Sequence, residues 1–132
     1  MKNKKLCILI IDDILSVRTL VRLFLKEHQD MLVFEEAGSC QEALEKAKRI
    51  SPDIILTDMS LPDGSGLDVA KQVKEMLPKT GVYLFSAYEL DEIRHLTTLK
   101  SPVDGFIQKS ELKAELHAMI VKEFERRVNG RK

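Results

Sequence analysis

The sequence predicts an α/β fold of three layers, a five-stranded parallel sheet covered by helices on both faces. Short apolar runs rich in β-branched and aromatic residues recur along the chain, each bounded by turn residues. Longer stretches of helical period alternate with them, as the crossovers of a parallel sheet require. At 132 residues and 44% hydrophobic composition, the chain fits one domain with a core of its own.

The five strands are expected at Leu6–Ile11, Met31–Phe34, Ile54–Leu56, Val82–Phe85 and Val103–Ile107. After the first, Ile14, Val17, Val21, Phe24 and Leu25 share one helix face, with Arg18, Arg22 and Lys26 on the other. The second helix opens at a capping box, Ser39 with Glu42, turns Ala43, Leu44, Ala47 and Ile50 inward and stops before Pro52. Ser65 caps the third, which has Leu67, Ala70, Val73 and Leu77 at core spacing and Pro78 as its stop. The fourth runs from about Glu89 to Leu99 with Leu90, Ile93 and Leu96 inward. The fifth runs from Ser110 to about Arg127 with Leu112, Leu116, Met119, Ile120 and Phe124 inward. Residues 1–128 are expected to form the domain, and 129–132 a frayed tail.

Lys+Arg and Asp+Glu both count 21, so there is no bulk attraction to nucleic acid or anionic membrane. The short basic tail Arg126, Arg127, Arg131 and Lys132 reads as a solvated helix end, and no nucleic-acid contact is expected. The longest apolar run, Leu6–Ile11, is far below the roughly 20 residues that span a bilayer, and its flanks lack a signal-peptide pattern. A cytoplasmic protein without a membrane partner is expected. Cys7 and Cys40 form neither a disulfide framework nor a metal spacing. His28, His95 and His117 fall on three separate helices with no spacing that suggests a metal site or catalytic triad, and are expected at the surface or its boundary.

Ligands of an open parallel sheet bind beyond the carboxyl ends of its strands. There the sequence places Asp12 and Asp13 after the first run, Asp58 after the third, Ser86 after the fourth and Lys109 after the fifth. Each residue alone would read as a turn, a cap or a surface charge; together, on strands about 4.8 Å apart, they can surround one small ligand. Three carboxylates so close repel one another, and a hard divalent cation removes that cost. Magnesium fits best, because it takes oxygen ligands and keeps waters, leaving room for a phosphoryl oxygen. A metal and the Lys109 ammonium flanking Asp58 would stabilise charge while a phosphoryl group moves onto that carboxylate. Ser86 can donate a hydrogen bond to the phosphoryl group. Phe106 is most simply a packed aromatic in a buried strand. Gly64-Ser-Gly66 lacks the spacing of a nucleotide loop and reads as a turn feeding a helix.

With Ile10-Ile-Asp-Asp13, Arg18, Asp58-Met-Ser-Leu-Pro-Asp-Gly-Ser-Gly66, Ser86-Ala87 and Asp104-Gly-Phe-Ile-Gln-Lys109, the chain resembles the receiver domain of two-component response regulators, the CheY-like superfamily. Phe34-Glu-Glu-Ala-Gly38 and the Asp104–Ser110 stretch are similar to the NarL/FixJ-like receiver subclass. The resemblance implies a flavodoxin-like, doubly wound sheet of order 2-1-3-4-5. It makes Asp58 the phosphoacceptor, Asp13 a direct and Asp12 a mainly water-mediated Mg2+ ligand, and the Ser60 carbonyl the backbone ligand. It likewise makes Lys109 the phosphoryl-contacting lysine, Ser86 the switch hydroxyl and Phe106 the switch aromatic. Ser110 stands where such families usually carry proline.

The function expected is a phosphorylation-activated switch rather than an enzyme: a histidine kinase or phosphotransfer protein donates to Asp58, and a downstream protein reads the fourth helix, fifth strand and fifth helix. Glu92, His95, Gln108, Glu111 and Glu115 are the exposed candidates on that face, and the resemblance allows a phosphorylation-dependent homodimer. The residues beyond Lys109 are consumed by the fifth helix, so the helix-turn-helix output domain of the subclass is expected to be absent. The alternative is a pseudo-receiver that binds partners without phosphate. A flavin protein or an aspartate-nucleophile phosphatase fits poorly, since neither a hydroxyl- and glycine-rich loop nor an acid-x-acid motif follows the first strand.

Overall fold

The apolar run Leu6–Ile11 forms β1 along its whole expected length in a computed structural model that describes residues 5–86 and 103–129. It is followed by α1 (Leu15–Phe24), a 3-10 segment (Lys26–Met31), β2 (Leu32–Ala37), α2 (Cys40–Ile50) and β3 (Ile54–Asp58). Then come the short strands β4 (Ser60–Leu61) and β5 (Gly64–Ser65), α3 (Gly66–Met76), β6 (Gly81–Ser86), β7 (Gly105–Gln108) and a C-terminal helix (Leu112–Asn129). The main sheet is parallel throughout, in the order β2-β1-β3-β6-β7. That is the order 2-1-3-4-5 of the five expected strands. The expected fourth helix lies outside the described residues. The C-terminal helix continues through Asn129, one residue into the expected tail.

Alternate residues of each strand serve opposite layers. Ile8, Ile10, Leu56 and Phe85 pack with Val21, Leu25, Leu116 and Ile120 on one face. Leu9, Ile11, Ile55 and Val82 pack with Ala43, Ala47, Val69 and Val73 on the other. The Val, Leu, Ile and Phe side chains among these each contribute about 1.5–3 kcal/mol on burial. A sheet apolar on both faces therefore holds its strand ends in fixed register.

Several boundaries differ from the sequence reading. Met31 belongs to the 3-10 segment, and β2 extends through Glu35 and Glu36 to Ala37. Val103 precedes β7, because Asp104 brackets Val82: its amide donates to the Val82 carbonyl at 2.7 Å and its carboxylate accepts from the Val82 amide at 2.8 Å. Ile14 is the N-cap of α1 and half exposed rather than inward, since its amide donates to Asp12 Oδ1 at 2.8 Å and turns the chain. Ser39 Oγ accepts from the Glu42 amide at 3.1 Å, but Glu42 accepts from Gly38 rather than Ser39, so the box is one-sided. Ser65 and Asp68 form the full capping box at α3. Arg126 is exposed, as a solvated helix end requires, but it and the half-buried Arg127 both donate to the buried Glu123, at 2.9 and 3.1 Å, and Arg131 and Lys132 lie outside the described residues. Among the described residues no helix is long and apolar enough to cross a membrane.

Candidate functional site

Register sets the height of each side chain on the carboxyl rim. Ile11 lies opposite Thr57, so Asp12 is level with Asp58; Asp58 lies opposite Phe85, and Phe85 opposite Ile107. Ser86 is therefore one residue above that level and Lys109 two. Asp12, Asp13 and Asp58 each bring a carboxylate oxygen within 4.8 Å of the others, and Lys109 Nζ is 3.8 Å from Asp58 Oδ1. The Lys109 ammonium also lies 5.2 Å from the centre of the buried Phe85 ring, which guides its stem toward the acids.

The three acids differ. Asp12 is wholly buried: Oδ1 accepts from the Ile14 amide, while Oδ2 has no hydrogen-bond partner among the described residues. A buried carboxylate oxygen left unpaired is costly. Burial pushes the Asp12 pKa above the ordinary range; the Ile14 amide pulls it back, Asp58 pushes it up, Lys109 lowers it and Asp13 raises it. Asp13 is exposed at the mouth, and Asp58 is half-buried. Asp58 Oδ1 accepts from the Met59 amide at 2.8 Å.

Gly66 permits this layout. A Cβ there would lie 2.2 Å from the Asp58 carbonyl oxygen and 2.8 Å from Leu84 Cδ2, so the first residue of α3 packs directly on the end of β3. Its amide donates to the Met59 carbonyl at 2.8 Å. Asp63, in the β4–β5 turn, accepts from the Cys40 and Gln41 amides at 2.7 and 3.0 Å, tying the loop after Asp58 to the start of α2. The second coupling connects residues 22 and 23 positions apart. Only the Pro-Asp-Gly turn signal hinted at the hairpin.

Asp12, Asp13, Asp58 and Lys109 thus converge. Ser60 lies in β4, two residues beyond Asp58, and is exposed. Ser86 ends β6; Ala87, Tyr88, Glu92 and His95 lie outside the described residues. Phe106 is half-buried in β7 and, among the described residues, belongs to neither apolar cluster. Of the expected partner face, Glu111 is exposed, whereas Gln108 and Glu115 are half-buried and joined, the Gln108 amide donating to Glu115 Oε1 at 2.8 Å. Ser110 is exposed in the 3-10 turn Lys109–Glu111. Neither Cys7 nor Cys40 forms a disulfide, and burial pushes both thiols up to about 11. His28 and His117, expected as scattered surface or boundary residues, meet at 3.0 Å, and His28 is buried.

Set beside known proteins, residues 8–121 match the family model of the response regulator receiver domain. The response regulator protein VraR of Staphylococcus saprophyticus is 31% identical over 117 residues, covering 89% of this chain and 56% of that protein. The transcriptional regulatory protein YxjL of Bacillus subtilis is 29% identical over 116 residues, covering 88% and 53%. The chain therefore spans about half the length of these curated relatives. The chemotaxis response regulator CheY4 of Vibrio cholerae superposes with a TM-score of 0.78 over 91% of this chain and 99% of its own, at 22% identity, a likeness of fold. The signal receiver domain of the putative response regulator NarL from Mycobacterium tuberculosis does so at 0.76, with 28% identity over 90% and 95%. The chain belongs to the response regulator receiver domain family.

Proposed function

We propose that this chain is a phosphorylation-activated switch whose acceptor is Asp58. The observation that carries the reading is the convergence of three carboxylates within 4.8 Å, one with a buried, unpartnered oxygen, beside an ammonium 3.8 Å from Asp58. Such a donor set fits Mg2+: oxygen-only, anionic and partly solvated. Asp12, Asp13, Asp58 and the Ser60 carbonyl would hold the ion, which supplies positive charge and open coordination places for phosphoryl oxygens.

The chain's own groups do the rest. Asp58 Oδ2, the oxygen that the Met59 amide does not engage, forms the O–P bond as the donor's P–N bond breaks and the electron pair returns to its imidazole. Lys109 balances negative charge on the transferring group, and Ser86 donates a hydrogen bond to it. The added charge shifts a pre-existing equilibrium, read by a partner at the face that contains β7 and the start of the C-terminal helix. The donor is a histidine kinase or phosphotransfer protein, the chain is a regulatory acceptor rather than a catalyst of turnover, and its free thiols suit a reducing cytoplasm.

The test is intact mass after incubation with acetyl phosphate, with and without Mg2+, for wild type and Asp58→Asn. A Mg2+-dependent gain of about 80 Da, one phosphoryl group, in wild type only is expected. An equal gain in Asp58→Asn would move the acceptor elsewhere. Absence of any gain would favour a pseudo-receiver.

A further inference from the structure

A second candidate metal site, sharing no ligand with the carboxyl rim, lies where the 3-10 segment after α1 meets the C-terminal helix. His28 Nε2 and His117 Nδ1 are 3.0 Å apart, and Glu27 Oε2 lies 3.6 Å from the first and 3.4 Å from the second. A tetrahedral ion with Zn–N and Zn–O bonds near 2.0–2.2 Å separates its ligand atoms by about 3.3–3.6 Å. Two edges of the donor triangle already match one face of a tetrahedral coordination shell, and the 3.0 Å edge between the imidazole nitrogens needs to open by about 0.3 Å. Two aromatic nitrogens and one carboxylate are borderline donors, unlike the oxygen-only set at the rim. They suit Zn2+ and its first-row neighbours and suit Mg2+ poorly.

The surroundings also fit. His28 is buried and fixed by the backbone, its amide donating to the Leu25 carbonyl at 2.9 Å. Glu27 and His117 are more than half exposed, so the fourth coordination place faces water. Both line an open cleft of about 750 Å3 that also includes Leu20, Phe24, Lys109 and Ser110. We propose that Glu27, His28 and His117 bind a first-row divalent transition cation, with Zn2+ as the representative, through three protein ligands and one water. Bound there, the ion joins the turn after α1 to the C-terminal helix and stabilises the folded chain by linkage.

The test is calorimetric titration of the untagged full chain with Zn2+ in excess Mg2+, which keeps the rim acids occupied by the harder ion. One Zn2+ per chain is expected in wild type and in Asp58→Asn. His117→Ala and Glu27→Gln, at exposed positions that need not disturb the core, should each weaken binding at least tenfold. Thermal denaturation gives the second readout: at a hundredfold excess over Kd, Zn2+ should raise the wild-type Tm by about 10 °C and the His117→Ala Tm by far less. Undiminished binding in His117→Ala, binding lost only in Asp58→Asn, or no binding tighter than about 100 μM would overturn the proposal and leave the pair as a structural His–His hydrogen bond.

Discussion

The two ends of the sheet carry similar groups and treat them in opposite ways. At the amino end of the strands, Glu123 is wholly buried beneath Gly81 and accepts from the Tyr83 hydroxyl, Arg126 and Arg127. Arg127 continues to the Asp53 carbonyl, and Lys74 pairs with Asp104 at 2.7 Å. Burial and the Glu123 carboxylate raise the Tyr83 pKa, so the phenol remains a donor. At the carboxyl end three acids cluster, Lys109 lies 3.8 Å from Asp58, and a buried oxygen of Asp12 goes without a partner among the described residues. The first arrangement pairs its charges within the protein, although Arg127 Nε is buried there without a hydrogen-bond partner among the described residues; the second leaves carboxylate charge in excess, available for something from outside. Electrostatic cost is tolerated where a ligand can relieve it.

The largest expected effect tests how firmly the carboxyl end is held. Gly66→Ala drives a methyl group into the Asp58 carbonyl and should cost about 3 kcal/mol in chemical denaturation, with slower phosphoryl uptake because Asp58 moves with β3. Acid-to-amide changes then address the contrast itself. Glu123→Gln weakens the hold on Arg126 and Arg127 and should lower stability by about 2 kcal/mol, with phosphoryl uptake close to wild type. Asp12→Asn should do the reverse: the metal-free protein gains about 1 kcal/mol as a disfavoured buried charge is removed, while Mg2+ affinity and phosphoryl uptake fall.

The smallest effect concerns Glu36. Burial pushes its pKa up, but the hydrogen bonds and charges of Arg22 and Arg18 outweigh this, and the folded value lies below the ordinary one. A lowered folded pKa means a contribution that is complete above the unfolded value, about 4.3, and lost as pH falls through the lowered one. Relative to Glu36→Gln, wild type should lose under about 1 kcal/mol between neutral pH and about pH 3, measured by denaturant unfolding.

The legibility of the two ends also differed. Asp12, Asp13, Asp58 and Lys109 follow apolar runs, and in a parallel sheet the end of a run is a position in space, so the rim was readable from one dimension. The Glu123 cluster was not: it joins Tyr83 to a helix residue 40 positions away, and nothing local distinguishes Glu123 from the exposed acids of that helix. His28 and His117 are 89 positions apart and became neighbours only through packing. The β4–β5 hairpin escaped because two-residue strands carry no periodic signal. Ile14 read as core because helical phase takes no account of the Asp12 carboxylate that turns the chain just before it.

Thermal denaturation of wild type, Asp12→Asn and Glu123→Gln, each with and without Mg2+, bears most directly on the division of labour between the two ends. Asp12→Asn should melt above wild type without Mg2+ and respond little to it, whereas Glu123→Gln should melt lower in both conditions and keep the full Mg2+ response. If Asp12→Asn melted below wild type and retained that response, the unpaired Asp12 oxygen would be a structural feature, and the carboxyl rim would not be a site held open for a metal.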